Sequence, residues 1–153
     1  MRHVIYIALV LICLLYTAGA VEYIDSLQNA AENYNKNLDK IPQDIKSLLK
    51  NEKVSIEISL NDGGLLKWGF VTKNYKIVSY GQGDLNNPTI EIHINESALN
   101  DLLQSKDTAK SYIQEEKDGG IKIEGKTIGS SLRLKTVPVD ANDLESFLNL
   151  IKP

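Results

Sequence analysis

Cysteine, histidine and arginine are almost missing from this chain of 153 residues. The only Cys is Cys13, the only His are His3 and His93, and the only Arg are Arg2 and Arg133. One Cys rules out a disulfide scaffold, and a single Cys with two His rules out a cysteine-rich zinc site. A net charge of −3 without an Arg cluster gives a phosphate backbone nothing to bind, so no nucleic-acid partner is expected. What remains is an ordinary balance, 42% apolar and 24% charged, which excludes a disordered tail and a multi-span membrane protein. The length fits one folded domain.

The one long apolar run is at the start. Val4 to Val21 carries no charge over eighteen residues, behind the basic Met1-Arg2-His3. Ala18-Gly19-Ala20 offers the small-residue exit of a cleaved secretory signal. The run also reaches the lower limit for a membrane-spanning helix, and Tyr16 suits its interface. Its length puts a retained anchor ahead of a cleaved signal. Under both readings Arg2 stays in the cytoplasm and the rest of the chain lies on the extracytoplasmic side, anchored or, after cleavage, secreted.

Ile24, Leu27, Ala31, Tyr34, Leu38, Ile41, Ile45 and Leu48 follow at spacings of 3-4-3-4-3-4-3. That is a heptad seam. Ala31 and Tyr34 are poor coiled-coil knobs, and Pro42 interrupts a continuous helix. The preferred reading is an amphipathic helix near the membrane, then a second helix packed on the domain. A homodimer through the 24–48 seam is the rival. The chain thus divides into residues 1–21, anchor or signal peptide; 22–42, juxtamembrane amphipathic helix and linker; and 43–153, the domain.

From Val54 the period becomes two. Val54, Ile56, Ile58 and Leu60 alternate with polar residues, and Asn61-Asp62-Gly63-Gly64 makes a turn. Leu65 to Lys73 and Tyr75 to Tyr80 form the next two strands, and Ile90, Ile92 and Ile94 mark a fourth. The period then turns helical. Asn95 is placed to cap a helix bearing Leu99, Leu102 and Leu103. A second helix runs from Asp107 to Lys117 and stops at Gly119-Gly120. Ile121 and Ile123 mark a fifth strand. Ile128 to Val137 fits both a helix and a strand, and a last helix carries Leu144, Phe147, Leu148 and Ile151 behind an Asn142–Glu145 capping box. Strands joined by short turns imply an antiparallel sheet and an α+β class.

These residues carry a resemblance. Thr89-Ile90-Glu91-Ile92, Leu99-Asn100-Asp101-Leu102-Leu103, Ser105-Lys106-Asp107 and Gly120-Ile121-Lys122-Ile123-Glu124-Gly125 resemble the sterol carrier protein type 2 domain. Gly129 to Lys135 is similar to that family's next helix, which favours helix for the ambiguous segment. The resemblance covers about Gln43 to Ile151. It implies a five-stranded, mostly antiparallel sheet covered by helices on one face, here preceded by an N-terminal apolar helix. It also implies a non-enzymatic activity: a hydrophobic cavity between sheet and helices takes up lipid, an acyl chain or another apolar molecule. Carried over, the candidate ligand-binding residues are Ile90, Ile92, Leu99, Leu102, Leu103, Leu132, Phe147, Leu148 and Ile151, with Trp68 and Phe70 joining from the sheet. Each also fits a plain core, because pocket and core are apolar for the same reason. The chain ends Ile151-Lys152-Pro153, without a peroxisomal tripeptide.

Catalytic motifs are scarce. His93 alternates with isoleucines and belongs on the polar face of its strand. There is no G-x-S-x-G elbow, and Gly81-Gln82-Gly83 lacks a third glycine and a following helix. Asn61-Asp62-Gly63 lacks the spaced carboxylates of a calcium loop. The expectation is a non-enzymatic, membrane-tethered extracytoplasmic domain without catalytic residues, metal or cofactor, binding an apolar ligand. The rival is a structural or interaction module with a filled core.

Overall fold

The computed structural model describes residues 20–137 together with Asn142, Asp143, Ser146, Phe147 and Leu150. The anchor or signal peptide expected over 1–21 falls almost wholly outside the described residues, as do Leu148 and Ile151 and the side chain of Leu103. Among the described residues no helix is long and apolar enough to cross a membrane.

The described part begins with α1 (Ala20–Lys36) and α2 (Gln43–Leu48). Three strands follow, β1 (Lys53–Ser59), β2 (Leu65–Lys73) and β3 (Lys76–Gln82), and then β4 (Ile90–Asn95). Next come α3 (Glu96–Gln104), α4 (Thr108–Asp118), β5 (Ile121–Gly125) and α5 (Ile128–Thr136). Helix ends follow local chemistry. Pro42 precedes α2, where its missing N–H costs nothing. Asp107 accepts the Lys110 N–H at the start of α4, and Gly119 closes it at φ +80°, a conformation side chains resist. Thr127 caps α5 through the Ser130 N–H. Asn95 occupies the position before α3, but its side chain makes no capping hydrogen bond there.

The sheet has the order β3-β2-β1-β4-β5 and is mixed, which corrects the expectation of a mostly antiparallel sheet. Short turns do make β1–β2 and β2–β3 antiparallel. After β3, however, the chain crosses back over the sheet and β4 pairs in parallel with β1, Val54 opposite Ile90 and Ile58 opposite Ile94. The crossing explains Gly69. A Cβ there would meet the Val54 carbonyl oxygen at 3.0 Å and Leu85 of the crossing loop at 3.3 Å.

Alternation sorts the sheet into two faces. Val54, Ile56, Ile58, Leu66, Trp68, Phe70, Ile90, Ile92, Ile94 and Ile121 are all buried in one cluster. The same cluster takes in Tyr23, Leu27, Ala30, Ala31 and Tyr34 of α1 and Ile45 and Leu48 of α2. The 24–48 seam therefore faces the sheet and forms part of the core. The β3 edge shows how closely α1 is seated. The Asn35 side chain accepts the Ile77 N–H at 3.0 Å and donates to the Ile77 carbonyl at 2.8 Å. The Tyr34 hydroxyl donates to the Tyr75 carbonyl at 2.7 Å, and burial pushes that phenol up from its ordinary pKa. The opposite sheet face is wet and charged, and His93 lies there as expected, with its Nδ1 3.4 Å from Glu57.

Candidate functional site

The layer between sheet and helices holds most of the sequence-nominated residues. Trp68 and Phe70 come from β2, Ile90 and Ile92 from β4, and Leu99 and Leu102 from α3, with Phe147 beyond α5. Each is at most 2% exposed. Alternation puts the strand residues here, and an i, i+3 pair on α3 meets them from above. The Trp68 ring lies 5.7 Å from Phe70 and 6.0 Å from Tyr80, and Phe147 meets Tyr34 edge-on at 6.2 Å.

Leu132 departs from the group, being 59% exposed. The inward residues of α5 are Ser130 and Leu134 instead. A small polar residue turns inward because it has a partner there.

That partner is Glu52, which no sequence motif marked. Its side chain is fully buried at the entrance to β1. Ser130 Oγ donates to Glu52 Oε2 at 2.8 Å and Arg133 Nε to Oε1 at 2.9 Å, and Arg133 Nη2 and Thr89 Oγ1 also reach the carboxylate. The Glu52 N–H donates to Thr72 Oγ1 at 2.8 Å. A buried carboxylate persists only with a charge partner and hydrogen bonds of this kind. One trace of it was present in the sequence: Arg133 is the only Arg beyond Arg2.

Two further groups escaped the sequence reading. Trp68 Nε1 and the Tyr112 hydroxyl are buried without a hydrogen-bond partner among the described residues. Desolvation raises the Tyr112 phenol above its ordinary pKa, with the Glu116 charge adding to it. Buried donors are nearly always paired, and an unpaired one costs about 1–3 kcal/mol.

Two clefts are lined by described residues. One, about 180 Å³, runs along β2 and β3 and is lined by Phe70 and Tyr80 of the aromatic cluster together with Gly69, Val71, Gly81 and Leu85 among others. The other, about 430 Å³, is lined by Lys126, Thr127, Ile128, Ser131, Leu132 and Lys135 at the start of α5.

The charged face behaves as a salt-bridge lattice. Lys126 spans Glu91 at 2.8 Å and Glu124 at 3.1 Å, and Lys67 meets Asp84 at 2.7 Å. Lys122 and Lys126 hold the Glu124 carboxyl down at about 2. Among the described residues, no group of three or more His, Cys, Asp or Glu side chains gathers as a metal site would.

No protein-family model matches the chain, and no curated protein does either. Solved structures do. The chain is similar to the sterol carrier protein domain 2 of Helicoverpa armigera, at 13% identity and a TM-score of 0.51, over 87% of this chain and 95% of that one. A sterol carrier protein 2 crystal structure matches at 7% identity and TM-score 0.51, over 81% and 91% of the two chains. A conserved hypothetical protein of Thermus thermophilus matches at 8% identity and TM-score 0.52, over 91% of each. Identities this low speak to architecture alone, and the architecture is sterol-carrier-like.

Proposed function

We propose that this chain is a non-catalytic carrier that takes up a lipid or another apolar chain between its sheet and its helices. The observation that carries the reading is two buried donors with no partner among the described residues, Trp68 Nε1 and the Tyr112 hydroxyl, both on side chains of the buried apolar cluster. An amphiphile supplies what such a layer accepts: methylenes worth about 0.8 kcal/mol each on leaving water, and oxygen acceptors for the two donors. The sterol-carrier-like architecture supports the same reading. Residues 1–21 would tether the domain to a membrane, with the domain on the extracytoplasmic side, and so shorten the distance to a bilayer donor or acceptor.

A second reading has an observation of its own. The nominated residues in the layer are at most 2% exposed; of them only Phe70 lines the cleft along β2 and β3, and the cleft at the start of α5 is lined outside the layer. A filled core of that kind suits an interaction module, dimeric if the 24–48 seam re-pairs between chains.

Native mass spectrometry of the purified full chain in mild detergent, with solvent extraction of what it carries, separates the two. A carrier retains one lipid per chain, and Trp68 emission shifts when a fluorescent fatty acid is added. A chain without extractable lipid, and with Trp68 emission indifferent to acyl probes, overturns the carrier reading and leaves the module.

A further inference from the structure

We propose that the first turns of α5 form a docking surface for an anionic lipid bilayer. This surface is separate from the interlayer site and does not rest on the carrier reading. Ile128 is 91% exposed and Leu132, one turn later on the same helix face, 59%. They are the two most exposed large apolar side chains among the described residues. Both line the cleft of about 430 Å³, and the rest of its lining is Lys126, Thr127, Ser131 and Lys135. Two aliphatic side chains are thus ringed by two ammonium groups and two hydroxyls, with no carboxylate among the described residues of the lining.

The surrounding sequence has the same sign. Gly125 to Val139 contains Lys126, Arg133 and Lys135 and no acidic residue, in a chain whose net charge is −3. Arg133 is turned inward to Glu52, and Lys126 is shared with Glu91 and Glu124. Lys135 makes no ion pair with the described residues and is the cation left for an outside partner.

The helix presenting this patch is held firmly from behind. Ser130 and Arg133 bind Glu52, Leu134 is buried, and Ser131 Oγ donates to the Gly125 carbonyl at 2.7 Å. A fixed helix that projects aliphatic side chains between lysines matches the interfacial layer of a bilayer, where acyl chains accept the side chains and headgroups meet the ammonium groups.

The test uses the full chain with Cys13→Ser and Gly129→Cys, labelled at the new thiol with an environment-sensitive dye. A Cβ at position 129 meets nothing closer than Arg133 at 3.6 Å. The chain is reconstituted into phosphatidylcholine vesicles and into phosphatidylcholine–phosphatidylglycerol vesicles. The expected result is blue-shifted emission in the anionic vesicles alone, reversed by high salt. Ile128→Ser with Leu132→Ser should weaken the response more than about tenfold. Lys135→Gln should weaken it about fivefold, in keeping with one juxtamembrane charge. Equal emission in both vesicles, or a response that survives the serine pair, overturns the proposal. So does a blue shift that appears without vesicles as protein concentration rises, since a second copy would then be the occupant. If Trp68 emission reports that the serine pair unfolds the chain, Lys135→Gln decides, and an unchanged response overturns the proposal.

Discussion

Arg133 reaches Glu52 with two nitrogens across 81 residues of sequence, joining the last described helix to the entrance of the first strand. The carboxylate is fully buried, whereas the guanidinium is 38% exposed. The pair therefore sits at the domain's rim, with its negative end inside.

Removing the cation should leave a buried charge with only hydroxyls around it. Arg133→Ala is expected to lower stability by about 3 kcal/mol, read as a drop in the urea midpoint at unchanged slope. Arg133→Lys should recover less than half of the loss, because an ammonium cannot make the paired contacts of a guanidinium.

Gly125 lies where strand and helix touch. A Cβ there would stand 2.5 Å from Ser131 N and 2.6 Å from its Cα, both backbone atoms. Gly125→Ala should therefore push α5 off the sheet and cost about 2–3 kcal/mol. Gly81, which has nothing within 4 Å of a Cβ, is the control. Gly81→Ala should change the urea midpoint by no more than about 0.5 kcal/mol equivalent.

Tyr112→Phe removes a buried hydroxyl that has no partner among the described residues and keeps the ring. Stability of the ligand-free chain should hold or rise by about 1 kcal/mol. If a guest's oxygen normally accepts this hydrogen bond, the same substitution should weaken fatty-acid binding by about fivefold to tenfold. Calorimetric melting with and without fatty acid measures both.

Glu124 provides a pH prediction with a definite sign. Lys122 and Lys126 hold its folded-state carboxyl at about 2, below the ordinary 4.5. A group depressed on folding stabilises the fold above the unfolded value and loses that contribution as pH falls through the folded one. The effect should thus fade between pH 4.5 and about 2, and it should be small because the group is exposed and screened by salt. In a carboxyl NMR titration, Lys126→Gln should move Glu124 up toward 4.5.

Much of the architecture was legible because short-range patterns encode it. Alternating Val54-Ile56-Ile58 and Ile90-Ile92-Ile94 marked strands with one dry face, and Gly119 marked the end of α4. The parallel pairing of β1 with β4 was not legible. Both strands read identically whichever way they run, and the decision lies in a loop whose Leu85 must pass over a residue without a side chain. The exposure of Leu132 has a similar origin. The helix carries two competing stripes, Ile128 with Leu132 and Ser130 with Leu134, and hydrophobicity favours the first. The second wins because Ser130 satisfies Glu52, a contact 78 residues away in sequence. Trp68 was nominated for its ring, while the lack of a partner for its N–H among the described residues became visible only when its neighbours were in place.

The Asn35 amide, bonded to both the N–H and the carbonyl of Ile77, imitates a neighbouring peptide group. It plugs the outer ladder of β3 at the point where a foreign strand would begin to zip on. Lifting α1 away would uncover this border and turn the sheet edge into a template for chain-to-chain aggregation, so α1 guards an edge as well as covering the core.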